Sequence, residues 1–288
     1  MKQTLNHLYP KLRVHSWGGF GSQLFTALLI LKLQERFPGR RINVIVHTSG
    51  VSRRVSEFNF EYLGTDFKQV EDYRSSNALV GSRRPYIEFI YYIFSEVKKI
   101  AVLILSGLQI IIKANNDKSF DSIKPWTLSL RGHYTNLALD KDLIASLYKT
   151  VFGFNSAKPK LDSYLAVHYR IGDLLHVKES SLVDPARIGK VVRGRKLDTS
   201  QQIIFSDSST EDLVKFVKGF KTFSKFNYFH SDPKETLYLC IHAKVFIGTG
   251  AKLSLWAAIF RFFLYGAESS LPSELIWARE IGLESHWY

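Results

Sequence analysis

The chain has 288 residues, 45% hydrophobic and 14% aromatic, a composition that excludes a disordered polymer and is comfortable as two domains of roughly 140 residues each. Its formal net charge of +13 points to an anionic partner, whether nucleic acid, a phosphorylated small molecule or a membrane surface. The single cysteine, Cys240, excludes an intrachain disulfide and, within "ETLYLCIHAKVF", has the setting of a buried helix face, which suits a reducing, cytoplasmic compartment.

The opening stretch "MKQTLNHLYPKLRV" lacks the apolar core of a secretory signal. "LRVHSW" reads as a strand, the glycines around Gly19-Phe20-Gly21 break it, and "QLFTALLILKLQERF" reads as a helix capped by Ser22 and ended by Pro38-Gly39. "INVIVHT" is the next strand. A glycine turn between strand and helix brings backbone N–H groups and a helix N-terminus toward a ligand, which suits phosphate or another anion. Only two glycines of G-x-G-x-x-G are present, Leu24 stands at the third position, and no Gly-Lys-Ser/Thr follows. A tight turn with no ligand is the alternative.

"IEFIYYIFSEVKKIAVLILSGLQIIIK" is the most apolar segment, but Glu96, Lys98 and Lys99 leave Ile100 to Ile112 as its longest uncharged run. That is short of the ~18 to 20 residues that span a bilayer. A helix buried in the first domain is expected, with a surface dipping into the membrane interface as the alternative. The basic clusters Arg53-Arg54, Arg83-Arg84 and "RIGKVVRGRK" (Arg187 to Lys196) read first as solvated faces. "GFNSAKPK", Gly153 to Lys160, has the composition of a linker and divides the chain into domains 1–152 and 160–288.

Beyond it "YLAVHYR", "QQIIFSD", "KFNYFH" and "AKVFIGT" read as strands. Helices lie between them, one opened by Ser209-x-x-Asp212 and one by Asp232-Pro233-Lys234-Glu235. Strands alternating with helices in both halves predict an α/β protein of two doubly wound, Rossmann-like domains facing across a cleft.

In such sheets ligands bind beyond the carboxyl ends of the strands. "YLAVHYR" runs into His168-Tyr169-Arg170-Ile171-Gly172-Asp173, and alternation puts His168 and Arg170 on one face. The arginine fork matches two phosphate oxygens. "IIFSDSS" ends in Ser206-Asp207-Ser208. "VFIGTGAKLSLWAAIFRFF" turns at Gly248-Thr249-Gly250 into a helix, adding the hydroxyls of Thr249 and Ser254 and the ammonium of Lys252. Three strand ends therefore offer groups suited to a diphosphate and a sugar.

These residues resemble a known family. "GGFGSQLF" is similar to the GGxGNQxF opening of the inverting α-1,2-fucosyltransferases, "HYRIGD" to their H-x-R-x-G-D motif and "FSDSSTEDL" to their FSDD segment. "DPKETLYLCIHAKVFIGTGAKLSLWAA" resembles their final block and "LSLRGHYTN", Leu128 to Asn136, their GYxQS segment, all five in family order. The resemblance implies a GT-B-like fold, GDP-fucose as donor, a glycan acceptor, and inversion at the fucose carbon without metal or cofactor. It also implies a role in bacterial surface polysaccharide synthesis.

On that pattern Arg170 binds the donor pyrophosphate and His168 contacts the nucleotide or phosphate. The turn of Gly19, Phe20, Gly21, Ser22 and Gln23 faces the donor phosphates from the acceptor-side domain. Ser206, Asp207, Thr249, Lys252 and Ser254 complete the nucleotide-sugar site. Asp173 and Glu179 are the nearby carboxylates for an acceptor base, and Asp173 alternatively orients Arg170.

The chain departs from the family at Ser22 for Asn, at Ile171 for a second Arg, and at Gly250-Ala251-Lys252-Leu253-Ser254-Leu255-Trp256 for N-S-S-F-S-W-W. Lys252, at a helix start, is placed to supply the missing charge. Another GDP-sugar, or a nucleotide-sugar-binding homologue that has lost catalysis, are the alternatives. Nucleic-acid binding rests on charge alone, with no recognised reading module, and is not expected. The apolar middle segment and basic surface suggest peripheral contact with the cytoplasmic face of a membrane.

Overall fold

A computed structural model describes residues 9–47, 57–70, 97, 101, 103–153, 161–171, 182–195 and 201–288. The chain divides into two compact units, Met1–Leu137 and Ala138–Tyr288. Each unit is built on a parallel sheet, as the strand and helix alternation predicts.

The first unit pairs β1 (Leu12–Trp17), β2 (Ile42–His47), β3 (Asp66–Val70), β4 (Ile111–Lys113) and β5 (Ser129–Arg131) in the order β3-β2-β1-β5-β4. Leu12, Val14, Val44, Val46 and Leu130 are buried, as expected of parallel strands covered on their faces. The helix Phe20–Arg36 follows β1 and buries Leu24, Phe25, Leu28, Leu29 and Leu33. Its start differs from the sequence expectation. Gly18, at φ +86°, turns the chain early, so that Gly19 is the N-cap and Ser22 lies inside the first turn, with no side-chain cap.

Most of the apolar middle segment lies outside the described residues. What is described does not form the expected buried helix: residues 103–107 are helical, with Leu103 and Ile104 exposed and Leu105 only partly covered, Gln109 breaks away at φ 57°, and Ile111–Lys113 joins the sheet as β4. No helix among the described residues is long and apolar enough to cross a membrane.

The second unit pairs β6 (Asp162–His168), β7 (Gln201–Phe205), β8 (Asn227–Phe229), β9 (Ala243–Gly248), β10 (Ser270–Leu271) and β11 (His286–Trp287) in the order β11-β10-β9-β6-β7-β8. Two of its helices start where their caps predict. Ser209 accepts from the Asp212 amide at 3.1 Å, opening Thr210–Val217, and Asp232 accepts from the Lys234 and Glu235 amides at 2.8 and 3.0 Å, opening Pro233–His242. Cys240 is buried on that second helix, and burial pushes its thiol pKa up. Arg261 is also fully buried and donates to the carbonyls of Ile241, Ala243, Lys244 and Glu268 and to Ser269 Oγ. Burial lowers its pKa to about 10, so the charge persists at neutral pH, solvated by backbone.

The division between units falls before the expected linker. The helix Lys141–Phe152 packs on the second unit: the Tyr148 ring meets Phe260 at 5.4 Å, its hydroxyl lies 3.3 Å from His242 Nε2, and Phe152 meets Tyr238 at 5.4 Å. That amphipathic helix buries its apolar face there, which places the boundary at Leu137/Ala138 instead of 152–160. Residues 154–160, Arg53-Arg54 and Arg83-Arg84 lie outside the described residues.

Candidate functional site

In the second sheet the chain runs from β6 to β7 to β8 on one side, then crosses to β9 on the other. The gap between β6 and β9 is therefore the topological switch point, where loops diverge and leave room for a ligand. Register brings the strand ends level: His168 pairs with Phe205 on one side and with Gly248 on the other. Sequence alternation placed His168, Arg170, Asp207, Thr249, Ser254 and Lys252 at separate strand ends, and the sheet makes them neighbours.

The inner part of this cluster is fully engaged. His168 Nδ1 lies 2.6 Å from Ser254 Oγ, which also accepts from the Thr249 amide at 3.1 Å. The Thr249 amide is shared with the His168 carbonyl at 3.2 Å, and Thr249 Oγ1 accepts from the Arg170 amide at 3.1 Å. Thr249, Ser254 and Ser206 are buried, so their hydroxyls lock the loops and do not line an open surface. Ser206 Oγ accepts from the Ser208 amide. Burial pushes the His168 pKa down to about 4; the Asp207 charge works against this and the Arg170 charge with it. At neutral pH the imidazole is therefore uncharged, and its Nδ1 shares one proton with Ser254 Oγ in a direction set by the ring's tautomer.

Close packing enforces the glycine at the end of β9. A Cβ on Gly248 would lie 2.6 Å from Ser254 Cβ and 2.9 Å from Leu271 Cδ2, whereas one on Gly250 would meet open space. The Tyr288 hydroxyl donates to the Gly248 carbonyl at 2.8 Å and ties the chain end to the same turn.

The outer part is cationic. Arg170 Nε stands 3.8 Å from Asp207 Oδ2, an ion-pair distance longer than a hydrogen bond, while Asp207 Oδ1 accepts from the Ile171 amide at 3.0 Å. Lys252 opens the helix Lys252–Phe260, whose N-cap Ala251 provides no side-chain acceptor. Burial, then the nearby Arg170 charge, lower the Lys252 pKa to about 8. Lys252 thus stands at the N-terminus of a helix whose first amides lack intrahelical acceptors, with the Arg170 charge near enough to act on it. Such a constellation has the chemistry that suits a multiply charged anion.

Ile171 explains one departure from the family pattern. Its side chain is fully buried beside Tyr169, Val183 and Ile188, so at this corner it points into the core. Asp173 and Glu179 lie outside the described residues.

The glycine turn of the first unit is brought together as expected but is filled from within. Gln23 is buried; its Nε2 donates to the Gly18 carbonyl at 3.0 Å and its Oε1 accepts from the amides of Glu57 and Phe58 at 3.1 and 2.8 Å. The Phe20 amide donates to the Glu57 carboxylate. An internal carboxylate therefore sits where a bound phosphate was expected, at the positive end of the Phe20–Arg36 helix. The Ser22 and Gln23 amides turn back on the Gly19 carbonyl at 2.8 and 3.1 Å. Gly21 lies buried in the same first turn.

Sequence reasoning missed Glu57, and also a ring cluster at the ends of β1 and β2. His15 Nδ1 lies 2.8 Å from His47 Nε2, and Trp17 stacks on His47 at 4.5 Å and 7°. The available signal was register: His15 and Trp17 share one face of β1, and Trp17 pairs with His47.

No family profile matches the sequence, and no curated protein matches it. Among solved structures, the chain is similar to Escherichia coli heptosyltransferase WaaC with ADP-2-deoxy-2-fluoro heptose, at 9% identity over 91% of this chain and 88% of that one, TM-score 0.46. It is similar to POFUT1 in complex with GDP at 12% identity over 92% and 98%, TM-score 0.43, and to fucosyltransferase NodZ from Bradyrhizobium at 12% over 86% and 91%, TM-score 0.38.

Proposed function

We propose that the chain is a glycosyltransferase that holds a nucleoside diphosphate sugar at the β6/β9 switch point and transfers the sugar, with inversion, to a glycan hydroxyl. The observation that carries this is Lys252 at the N-terminus of the Lys252–Phe260 helix with the Arg170 charge near it, above a locked His168–Ser254–Thr249 base. GDP-fucose is the donor favoured by the five motif blocks in order, and an α-1,2 linkage is the one they imply.

In that reaction the acceptor oxygen bonds to the anomeric carbon as the bond to the phosphate oxygen breaks, GDP leaves with the electron pair, and the acceptor hydroxyl releases its proton to water. The negative charge growing on the departing diphosphate is stabilised by Arg170, Lys252 and the amides of the Lys252–Phe260 helix, which stand in place before the reaction begins. Lys252 takes the part that a second arginine plays in the family motif, since Ile171 is committed to the core.

The test is thermal stability of wild type, Arg170→Ala and Lys252→Ala with GDP, GDP-fucose, GDP-mannose, UDP and CMP. A ligand at about a hundred times its dissociation constant stabilises by ~2.7 kcal/mol. A GDP-selective shift in wild type that both variants lose supports the site, and no shift with any guanine nucleotide sinks it. A second possibility, a nucleotide-sugar-binding protein without transfer, is favoured by the glycine turn being occupied by Glu57. It predicts GDP binding with no donor turnover.

A further inference from the structure

Six of the twelve large apolar side chains that stand exposed among the described residues fall in one stretch of the first unit. Val97, Leu103, Ile104 and Leu108 are 57%, 71%, 60% and 59% exposed, and Trp126 and Leu128 are 54% and 42% exposed. Val97, Ala101, Ile104 and Leu108 recur at the spacing of one helix face, and residues 103–107 are helical. The turn that carries Trp126 and Leu128 is bonded to the end of that helix: Thr127 Oγ1 donates to the Gln109 carbonyl and the Leu128 amide to the Ile110 carbonyl, both at 2.9 Å. The apolar side chains therefore form one neighbourhood, and single exposed residues scattered elsewhere do not.

Basic residues adjoin this neighbourhood. The Arg13 amide donates to the Leu128 carbonyl at 2.9 Å and its side chain is exposed, Lys124 begins the turn, and exposed Lys113 ends β4. Among the described residues of this stretch, Asp121 is paired with Arg36 at 3.4 Å and Asp117 with Lys32 at 3.7 Å.

We infer that this face docks on an anionic lipid surface, with Val97, Ile104 and Leu108 entering the headgroup layer, Trp126 at its boundary, and Arg13, Lys113 and Lys124 against lipid phosphates. Charge selects this occupant over a second copy of the chain. An isologous pairing would set the same basic residues against one another on a chain of net charge +13, whereas an anionic bilayer complements them. Shape agrees, because side chains that protrude as far as Ile104 and Leu108 insert between headgroups, and tryptophan suits the boundary between apolar and wet layers. The inference is independent of the donor site and of the glycosyl-transfer proposal.

The experiment is co-sedimentation of the full chain with vesicles of phosphatidylcholine alone and of phosphatidylcholine mixed with phosphatidylglycerol, at low and high salt. Wild type is expected on the mixed vesicles, less so at high salt. Ile104→Glu/Leu108→Glu is expected to lower the partition coefficient by roughly tenfold or more, since two apolar side chains leave the lipid. Lys113→Glu/Lys124→Glu is expected to abolish the preference for phosphatidylglycerol. Sedimentation velocity without vesicles is run alongside, and Val97→Ser/Trp126→Ser serves as a second apolar variant should the first fold poorly. Equal partition of wild type and both apolar variants overturns the inference. So does a wild-type dimer that the variants convert to monomer while vesicles bind neither.

Discussion

His168 Nδ1 and Ser254 Oγ approach to 2.6 Å, joining the end of β6 to the first turn of the Lys252–Phe260 helix, 86 residues further along the chain. The pair is buried, and its consequence is a histidine held neutral in the folded protein.

This gives a pH dependence of stability with a defined sign. The unfolded His168 takes a proton near its ordinary 6.5, while the folded one resists until about 4. Between those values the unfolded chain binds more protons, so stability is full above 6.5 and declines as the pH falls toward 4. His242, whose pKa is lowered mainly by burial, contributes in the same sense. Urea unfolding at pH 7 and pH 5 is expected to show the loss, and His168→Gln is expected to reduce the difference.

Lys252 leads to a binding prediction of a different form. With a pKa of about 8 in the unliganded protein, it is largely charged at pH 7 and largely neutral at pH 9. A bound diphosphate favours the charged form, so GDP binding near pH 8.5 takes up a proton (about half or more per site). Calorimetry in buffers of different ionisation enthalpy measures that uptake. Lys252→Arg, charged throughout, is expected to bind without it, and Arg170→Ala to weaken affinity by roughly a hundredfold.

Gly248 and Gly250 look alike in sequence but differ in consequence. Gly248→Ala forces a methyl into Ser254 and Leu271 and is expected to cost about 1 to 3 kcal/mol. Gly250→Ala meets open space and is expected to change stability by less than about 0.5 kcal/mol. Denaturant unfolding of the two variants separates them.

Gln23 holds the glycine turn to the Glu57–Phe58 segment through both ends of its amide. Gln23→Leu leaves the Gly18 carbonyl and two amides without that partner and is expected to destabilise by about 2 kcal/mol or more. Glu57→Gln keeps a hydrogen-bond acceptor for the Phe20 amide but removes the charge. It is expected to preserve the fold and to change how anions affect the first unit's stability, read as the sulfate dependence of Tm. An unchanged sulfate response would mean that the carboxylate does not compete for this helix end.

Much of the architecture was legible in the chain alone, because its signals are local. β1, β2, β7 and β9 lie where their apolar runs stand between turn residues, and Ser209 and Asp232 cap the helices they precede. The Phe20–Arg36 helix was legible as a helix but not at its start. Gly18 decides that start through a positive φ that no spacing of residues reveals.

By itself the sequence determined two parallel α/β units and the groups at their strand ends, since periodicity, capping and the residues that follow each strand are properties of neighbouring positions. Tertiary structure decided what those groups can do. Strand order set β6 beside β9 and so made Arg170 and Lys252 neighbours and engaged the hydroxyls of Thr249 and Ser254, packing sent Ile171 into the core of the second unit, and the fold of the first unit put the Glu57 carboxylate on the glycine turn. Each of these joins residues far apart in the chain, and long-range pairing follows from how sheets are ordered and buried, which one-dimensional patterns do not encode.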